Sequence, residues 1–433
     1  MYDTKYKPYE RGFYKMKLLF LHICLFGLIL QANTLSQKEC IDKTLKYHPD
    51  IKKLSLSVSK TEAMVGIAKA DYLPQINASA QYNPIDTFVM PQNGSFSTIE
   101  DDSWQAGVQL NQKLYDFSKT TSTISAYEKD KEIASLSLNN QKALLAYSVK
   151  IQYNIVLLQT KALEVRKKDL QTKEELYNQA KAFVKEGLKT EADALSLLSA
   201  MYIAEDSLAE IESELNKALS TLSLYMGEKI DPNTTFEDNS VIKENNIEDS
   251  HSLLEKILAN NYEAKSQQQQ IHRDEFLYKA SKAGHYGSID AIASYSHQDT
   301  LNEYDTSMVG ISINIPIYSG GRVSAQTQQF SIAKDESKES YNSKKLLLED
   351  EMQRLIIDLK KFKHTVKAKE ALLESSQAAK EIVEARYKEG LSTYIEVLDA
   401  SSTYLFASLG LLEAKFSINN IINRLDYLQG IIQ

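Results

Sequence analysis

The chain has 433 residues, a quarter of them charged, a formal net charge of −8, and only 15 glycines and 7 prolines. Its Lys and Arg are interleaved with Asp and Glu, whereas nucleic-acid binders concentrate their cations, so a nucleic-acid partner is excluded. So few breakers in this length predict long, uninterrupted elements.

Residues 1–32 read as an export signal. Met16-Lys17 is a basic start, Leu18 to Leu30 is an apolar run too short to span a bilayer, and Ala32 offers a cleavage point. Met16 is a second candidate start, and Leu30 is large for its place before the cut, which leaves the cleavage site open. A buried helix or membrane anchor is the competing reading, but charge returns at once with Lys38 and Glu39. Lys5, Lys7, Arg11, Lys15 and Lys17 outnumber Asp3 and Glu10 here, so the mature chain is more acidic still. Cys24 leaves with the signal and Cys40 stands alone, which excludes an intramolecular disulfide and a cysteine metal site. Neither cysteine sits in a lipid-attachment box.

A helix is predicted over about 36–72. A strand follows, in which Ile76, Ala78, Ala80 and Tyr82 alternate with Gln75, Asn77, Ser79 and Gln81, then a second with Trp104, Ala106, Val108 and Leu110 on one face. Between Ser118 and Glu186 there is neither Gly nor Pro, so a single helix of roughly 100 Å is expected. Two apolar lines run along it, one through Ile151, Ile155, Leu158, Ala162 and Val165, the other through Leu145, Val149, Val156 and Leu163. Such a helix packs on neighbours at both sides. Gly187 ends it with a left-handed turn. Thr190-Glu191-Ala192-Asp193 fits a capping box opening a half-length helix over about 190–226, where Leu208, Ile211, Leu215, Ala218, Leu222 and Tyr225 keep coiled-coil spacing.

The chain then repeats itself. GVQLNQKLYDFS from Gly107 aligns with GISINIPIYSGG from Gly310, and Lys185-Glu186-Gly187-Leu188 with Lys388-Glu389-Gly390-Leu391, both at an offset of 203 residues. PQINASAQY from Pro74 matches GSIDAIASY from Gly287 at an offset of 213, so the first copy carries ten extra residues, including Pro84, Pro91 and Asn93-Gly94, expected as an external loop. The division is therefore a first repeat over 33–226, a polar equatorial linker over 227–250 and a second repeat over 251–433. The second repeat predicts a helix over 249–285, strands through Ile289–Tyr295 and Val309–Ile315, a long helix over 322–389 with Leu348, Met352, Leu355, Leu359, Phe362 and Val366 in coiled-coil spacing, and a return helix over 393–429.

Each strand has the length and apolar–polar alternation of a tilted membrane strand around a wet lumen, although half-buried soluble strands alternate too. A membrane sheet leaves no edge, and four strands are too few to close, so the chain must oligomerise; three copies supply twelve. The fold class expected is mainly α with a small β part. No catalytic chemistry is visible: His22, His48, His251, His272, His285, His297 and His364 show no ligand spacing, Gly320-Gly321 lies in no nucleotide-loop frame, and no G-x-S-x-G occurs. No enzyme activity, cofactor or metal is expected.

His48-Pro49, AKADYLPQI at 68–76, QKLYDFSK at 112–119, NIPIYSGGR at 314–322 and ARYKEGLSTYIEVLDASSTYL at 385–405 resemble the TolC-type outer-membrane efflux protein family over essentially the whole mature chain. The resemblance implies a homotrimer in the outer membrane of a Gram-negative bacterium, a twelve-stranded β-barrel in the lipid continued by an α-helical barrel in the periplasm. It implies partnership with a periplasmic membrane-fusion adaptor and an inner-membrane pump, for efflux or type I secretion. It also implies a periplasmic gate at Asp193, Tyr387, Glu396 and Asp399, with the turns of Gly187, Leu188, Gly390 and Leu391 presented to the adaptor. Ser392 stands where members with a locked gate have Arg, and Asp193 and Glu396 equally serve as capping-box acids. The alternative is a periplasmic coiled-coil adaptor or scaffold, which carries one hairpin and separate compact β-domains where this chain carries two hairpins and lone strand pairs.

Overall fold

The computed structural model describes residues 34–89, 94, 96–99, 101–231, 234–238, 249–300 and 302–432; the predicted signal at 1–32 and half of the linker lie outside them. The order is β1 (Thr34–Leu35), α1 (Gln37–Tyr47), α2 (Pro49–Ala70), β2 (Gln75–Asn83), β3 (Thr87–Val89), β4 (Phe96–Ile99), β5 (Ser103–Tyr115), α3 (Lys119–Lys185) and α4 (Glu191–Met226). It continues with β6 (Thr235–Phe236), α5 (Ser250–Asn260), α6 (Tyr262–Ala283), β7 (Ser288–Asp299), β8 (Glu303–Asn314), α7 (Arg322–Lys388) and α8 (Tyr394–Leu428). Both long helices have 67 residues, hence roughly 100 Å each.

Two predicted helices are each broken in two. Pro49 lacks an N–H and drives the preceding residue out of the helical region, so His48 takes φ −65°, ψ 128°, and its Nδ1 accepts from Asp50 N at 3.3 Å to cap α2. Asn261 makes the same break without proline: its Oδ1 accepts from the backbone of Glu263 and Ala264 at 3.1 and 3.0 Å, and its Nδ2 donates to Leu428 O at 3.1 Å. The second break is capped locally by Asn261 and also tied to the end of α8, a partner far away in sequence.

The four long strands form one antiparallel sheet in the order β2-β5-β7-β8. The register sets Ile76 beside Leu110, Leu110 beside Ala293 and Ala293 beside Val309, so one face is apolar across the whole sheet. The other carries Asn77, Gln109, Ser294 and Met308, with Gln81, Gln105 and Gln298 nearer the loops. Among the described residues nothing covers the apolar face: Val309 is 88% exposed, and Ile76, Ile311 and Ile313 are likewise open. Tyr82, Trp104 and Tyr295 edge it at the loop end, while Tyr115, Phe117 and Tyr286 pack ring to ring near the helices. The ten-residue excess, expected as a loop, contains a hairpin of its own, β3 with β4, apart from the main sheet. Backbone pairing satisfies donors that a plain loop of that length leaves to water.

Each long helix leaves its strand through two successive left-handed residues. In the second copy these are Gly320 and Gly321, and in the first Phe117 and Ser118, at φ 55° and 69°. The hinge geometry is common to both copies, and the first holds it with side chains that carry a steric cost.

On the strand side, helices lie in the order α2-α3-α6-α7; on the far side, the order is α4-α3-α8-α7. The result is a wall one helix thick, with separate buried clusters along its length, including one around Tyr153 and Leu222 and one around Ile257 and Met352. The coiled-coil positions Leu348, Met352, Leu359 and Val366 are buried as their spacing predicts. Midway along α3, Tyr153 Oη lies 2.8 Å from the carbonyl oxygens of both Leu35 and Glu237, tying the parallel β1–β6 pair to the wall. Among the described helices α8 alone has the length and apolar content of a membrane span, and it lies against α3 and α7.

Candidate functional site

The far end of the wall is built from two turns of the same construction. At the first, Gly187 has φ 72°, its N–H donates to Val184 O at 3.0 Å and Leu188 N donates to Phe183 O at 2.9 Å. At the second, Gly390 has φ 75°, and it and Leu391 bond back to Tyr387 O and Arg386 O at 3.0 and 2.8 Å. Both are Schellman caps, which need a residue tolerant of positive φ at the glycine. Leu188 and Leu391 project from these turns, 67% and 68% exposed.

The acids open the return helices. Asp193 Oδ2 accepts from Thr190 N at 3.1 Å while Asp193 N donates to Thr190 Oγ1 at 3.3 Å, and Glu396 makes the same pair with Thr393 at 2.7 and 3.3 Å. The Thr393 N–H holds the Glu396 carboxyl below the usual carboxylate range. Asp399, one turn further on, is exposed.

Tyr387 sits in a different environment. It is wholly buried with Leu176, Ala180, Ala194, Leu197 and Val397, so the end of α7 is packed against the first hairpin as well as the second. Its ring meets Phe183 edge-on at 6.0 Å, and among the described residues its hydroxyl has no hydrogen-bond partner. Burial, followed by the nearby Asp193 charge, pushes its pKa up. Sequence reasoning missed Lys189: its Nζ lies 5.6 Å from the Tyr387 ring centroid and donates to Ser392 O at 3.2 Å. The available signal was that Lys189 and Ser392 hold corresponding places in the two copies. Among the described residues no group of His, Cys, Asp and Glu could hold a metal ion.

A thin helical wall ending in paired turns, joined to an amphipathic sheet bare on its apolar face, defines one stave of an outer-membrane channel. The chain belongs to the outer membrane efflux protein family, whose model matches residues 40–228 and 253–430. It is 23% identical over 402 residues to the outer membrane protein TolC of Vibrio cholerae, covering 88% of this chain and 85% of that one. It is 25% identical over 369 residues to the outer membrane efflux protein BepC of Brucella suis, covering 82% and 76%. The solved structure of CusC shares its fold with a TM-score of 0.80 at 18% identity, covering 91% of this chain and 92% of that one. The protein is thus an outer-membrane efflux channel, and the adaptor alternative is not favoured.

Proposed function

We propose that three copies close head to tail into a twelve-stranded barrel continued by a helical tube, forming the exit duct of a tripartite efflux or type I secretion system. The observation that carries this is the pair of unpaired edges. Among the described residues β2 and β8 end the sheet with open backbone, and a membrane sheet cannot keep an edge. The strands alternate in direction, so β8 of one copy meets β2 of the next antiparallel. Along the helices the same two borders are apolar: Ile332, Leu346 and Ile357 are exposed on α7, and Leu56, Ile67, Leu195 and Ile203 on α2 and α4. Different surfaces at the two borders make a heterologous contact, which closes into a ring.

In this reading outer-membrane lipid covers the apolar face, the β1–β6 pair adds to an equatorial collar, and the tube reaches into the periplasm. Asp193, Tyr387, Glu396 and Asp399 form a gate at its tip, and the turns at Gly187-Leu188 and Gly390-Leu391 dock a membrane-fusion adaptor that leads to an inner-membrane pump. The gate acids supply charge facing the axis, and Tyr387 holds the two hairpins in register. No cofactor takes part. Membrane fractionation followed by sedimentation of the detergent-extracted protein tests the duct: the expected result is outer-membrane protein with the mass of three chains, and a monomer that stays soluble without detergent would overturn it.

A further inference from the structure

A cavity of about 480 Å³ opens where strands meet helices, between the first turns of α3 and α7 and the last turns of α6. Lys113, Ser288 and Asn314 in its wall belong to the polar face of the sheet, opposite Ile289 and Ile313. The cavity therefore faces the lumen of the duct proposed above, and the inference rests on that reading for its access to cargo.

Its charges are unevenly balanced. Lys113 lies 3.9 Å from Asp116 and stands opposite Asp290 in the β5–β7 ladder. Lys119 and Arg322, the first residues of the two long helices, line the same cavity, and among the described residues neither forms an ion pair. No side chain caps the N-terminus of α7, so its free N–H groups add positive potential beside Arg322. Asp116 is 2% exposed; its Oδ2 accepts from Thr120 N at 2.8 Å, while among the described residues its Oδ1 has no hydrogen-bond partner. Leu277, Val323 and Phe330 supply apolar wall. Two unpaired cations, one unsatisfied buried acceptor and an apolar surface thus converge on one space.

We propose that this cavity is a lumenal binding subsite for an amphiphilic organic anion that also carries a hydrogen-bond donor. The anion engages Lys119 and Arg322 through charge-assisted bonds, the donor satisfies Asp116 Oδ1, and the apolar body lies against Phe330 and Val323. Every group comes from one chain, so a trimer holds three such subsites.

The probe is 6-hydroxy-2-naphthoate, measured by equilibrium dialysis against the full-length protein in a nonionic detergent, with empty micelles as the partition control. Saturable binding of one molecule per chain is expected, with 2-naphthoate, which lacks the hydroxyl, about tenfold weaker. Arg322→Gln and Lys119→Gln should each weaken binding about tenfold, and Arg322→Lys should retain most of it. In Asp116→Asn the amide oxygen keeps the Thr120 cap and its NH₂ replaces the acceptor, so the preference for the hydroxylated probe should vanish. Retention no greater than in empty micelles, or unchanged binding by both glutamine variants, would overturn the subsite. Sedimentation of the same samples separates the two readings: loss of the trimer counts against the duct, whereas saturable binding by single chains still supports the subsite.

Discussion

The Lys189 ammonium donates to the Ser392 carbonyl oxygen at 3.2 Å, and the two residues stand 203 positions apart, the offset that relates the two copies of the repeat. Corresponding places in the two turns therefore touch across the tip. The first hairpin supplies the cation, and the second supplies the carbonyl and the Tyr387 ring beneath it.

Lys189→Met keeps the aliphatic length and removes the charge, with an expected loss of about 1–2 kcal/mol from the charged hydrogen bond and ring contact together. Single-channel conductance in planar bilayers should rise as the hairpins part, with the trimer intact. An unchanged conductance would show that the clasp does not restrain the opening.

Tyr387→Phe removes a buried hydroxyl that has no partner and leaves the ring in place. The tip should gain about 1 kcal/mol, read as slower amide exchange over residues 176–197, whereas Tyr387→Ala should lose about 3–5 kcal/mol by opening a cavity. A destabilised phenylalanine variant would mean that the hydroxyl has a partner in the assembled tip.

The Glu396 carboxyl is held below its ordinary range by the Thr393 N–H, so the folded pKa is lower than the unfolded one. Its contribution to the start of α8 is complete above the ordinary carboxylate pKa and is lost as pH falls through the depressed value. Exchange of the Glu396 and Val397 amides should accelerate over that acidic window, relative to the intrinsic rate, and Glu396→Gln should flatten the change. Identical profiles for the two proteins would remove the ionised cap from the account. The triple variant Asp193→Asn, Glu396→Gln, Asp399→Asn keeps polar groups in place, and reduced cation block of the channel is the outcome expected of a gate ring. Unchanged block would leave only the capping role.

Leu188→Asp with Leu391→Asp alters the two exposed tip side chains without touching the glycines that hold positive φ. Normal outer-membrane trimers with lost export and lost adaptor crosslinking are expected. Full export would move docking elsewhere, and lost trimers would make both leucines structural.

Periodicity and punctuation made much of this molecule legible from residues alone. A stretch without Gly or Pro has little choice but one helix, so both 67-residue helices, their glycine caps and both capping boxes could be read in advance. Period-two alternation likewise placed Ile76, Val108, Ala293 and Val309 on one face, because a one-residue slip reverses every side chain. Two unread features are local, the Pro49 break and the β3–β4 hairpin; others depend on partners distant in sequence. Asn261 Nδ2 reaches the Leu428 carbonyl 167 residues away, and Tyr387 is buried because the first hairpin covers it. Local pattern determines which elements form, since backbone sterics and side-chain period act within a few residues. Which side chains those elements trap, clasp or leave unpaired is decided only when elements some 200 residues apart are brought side by side.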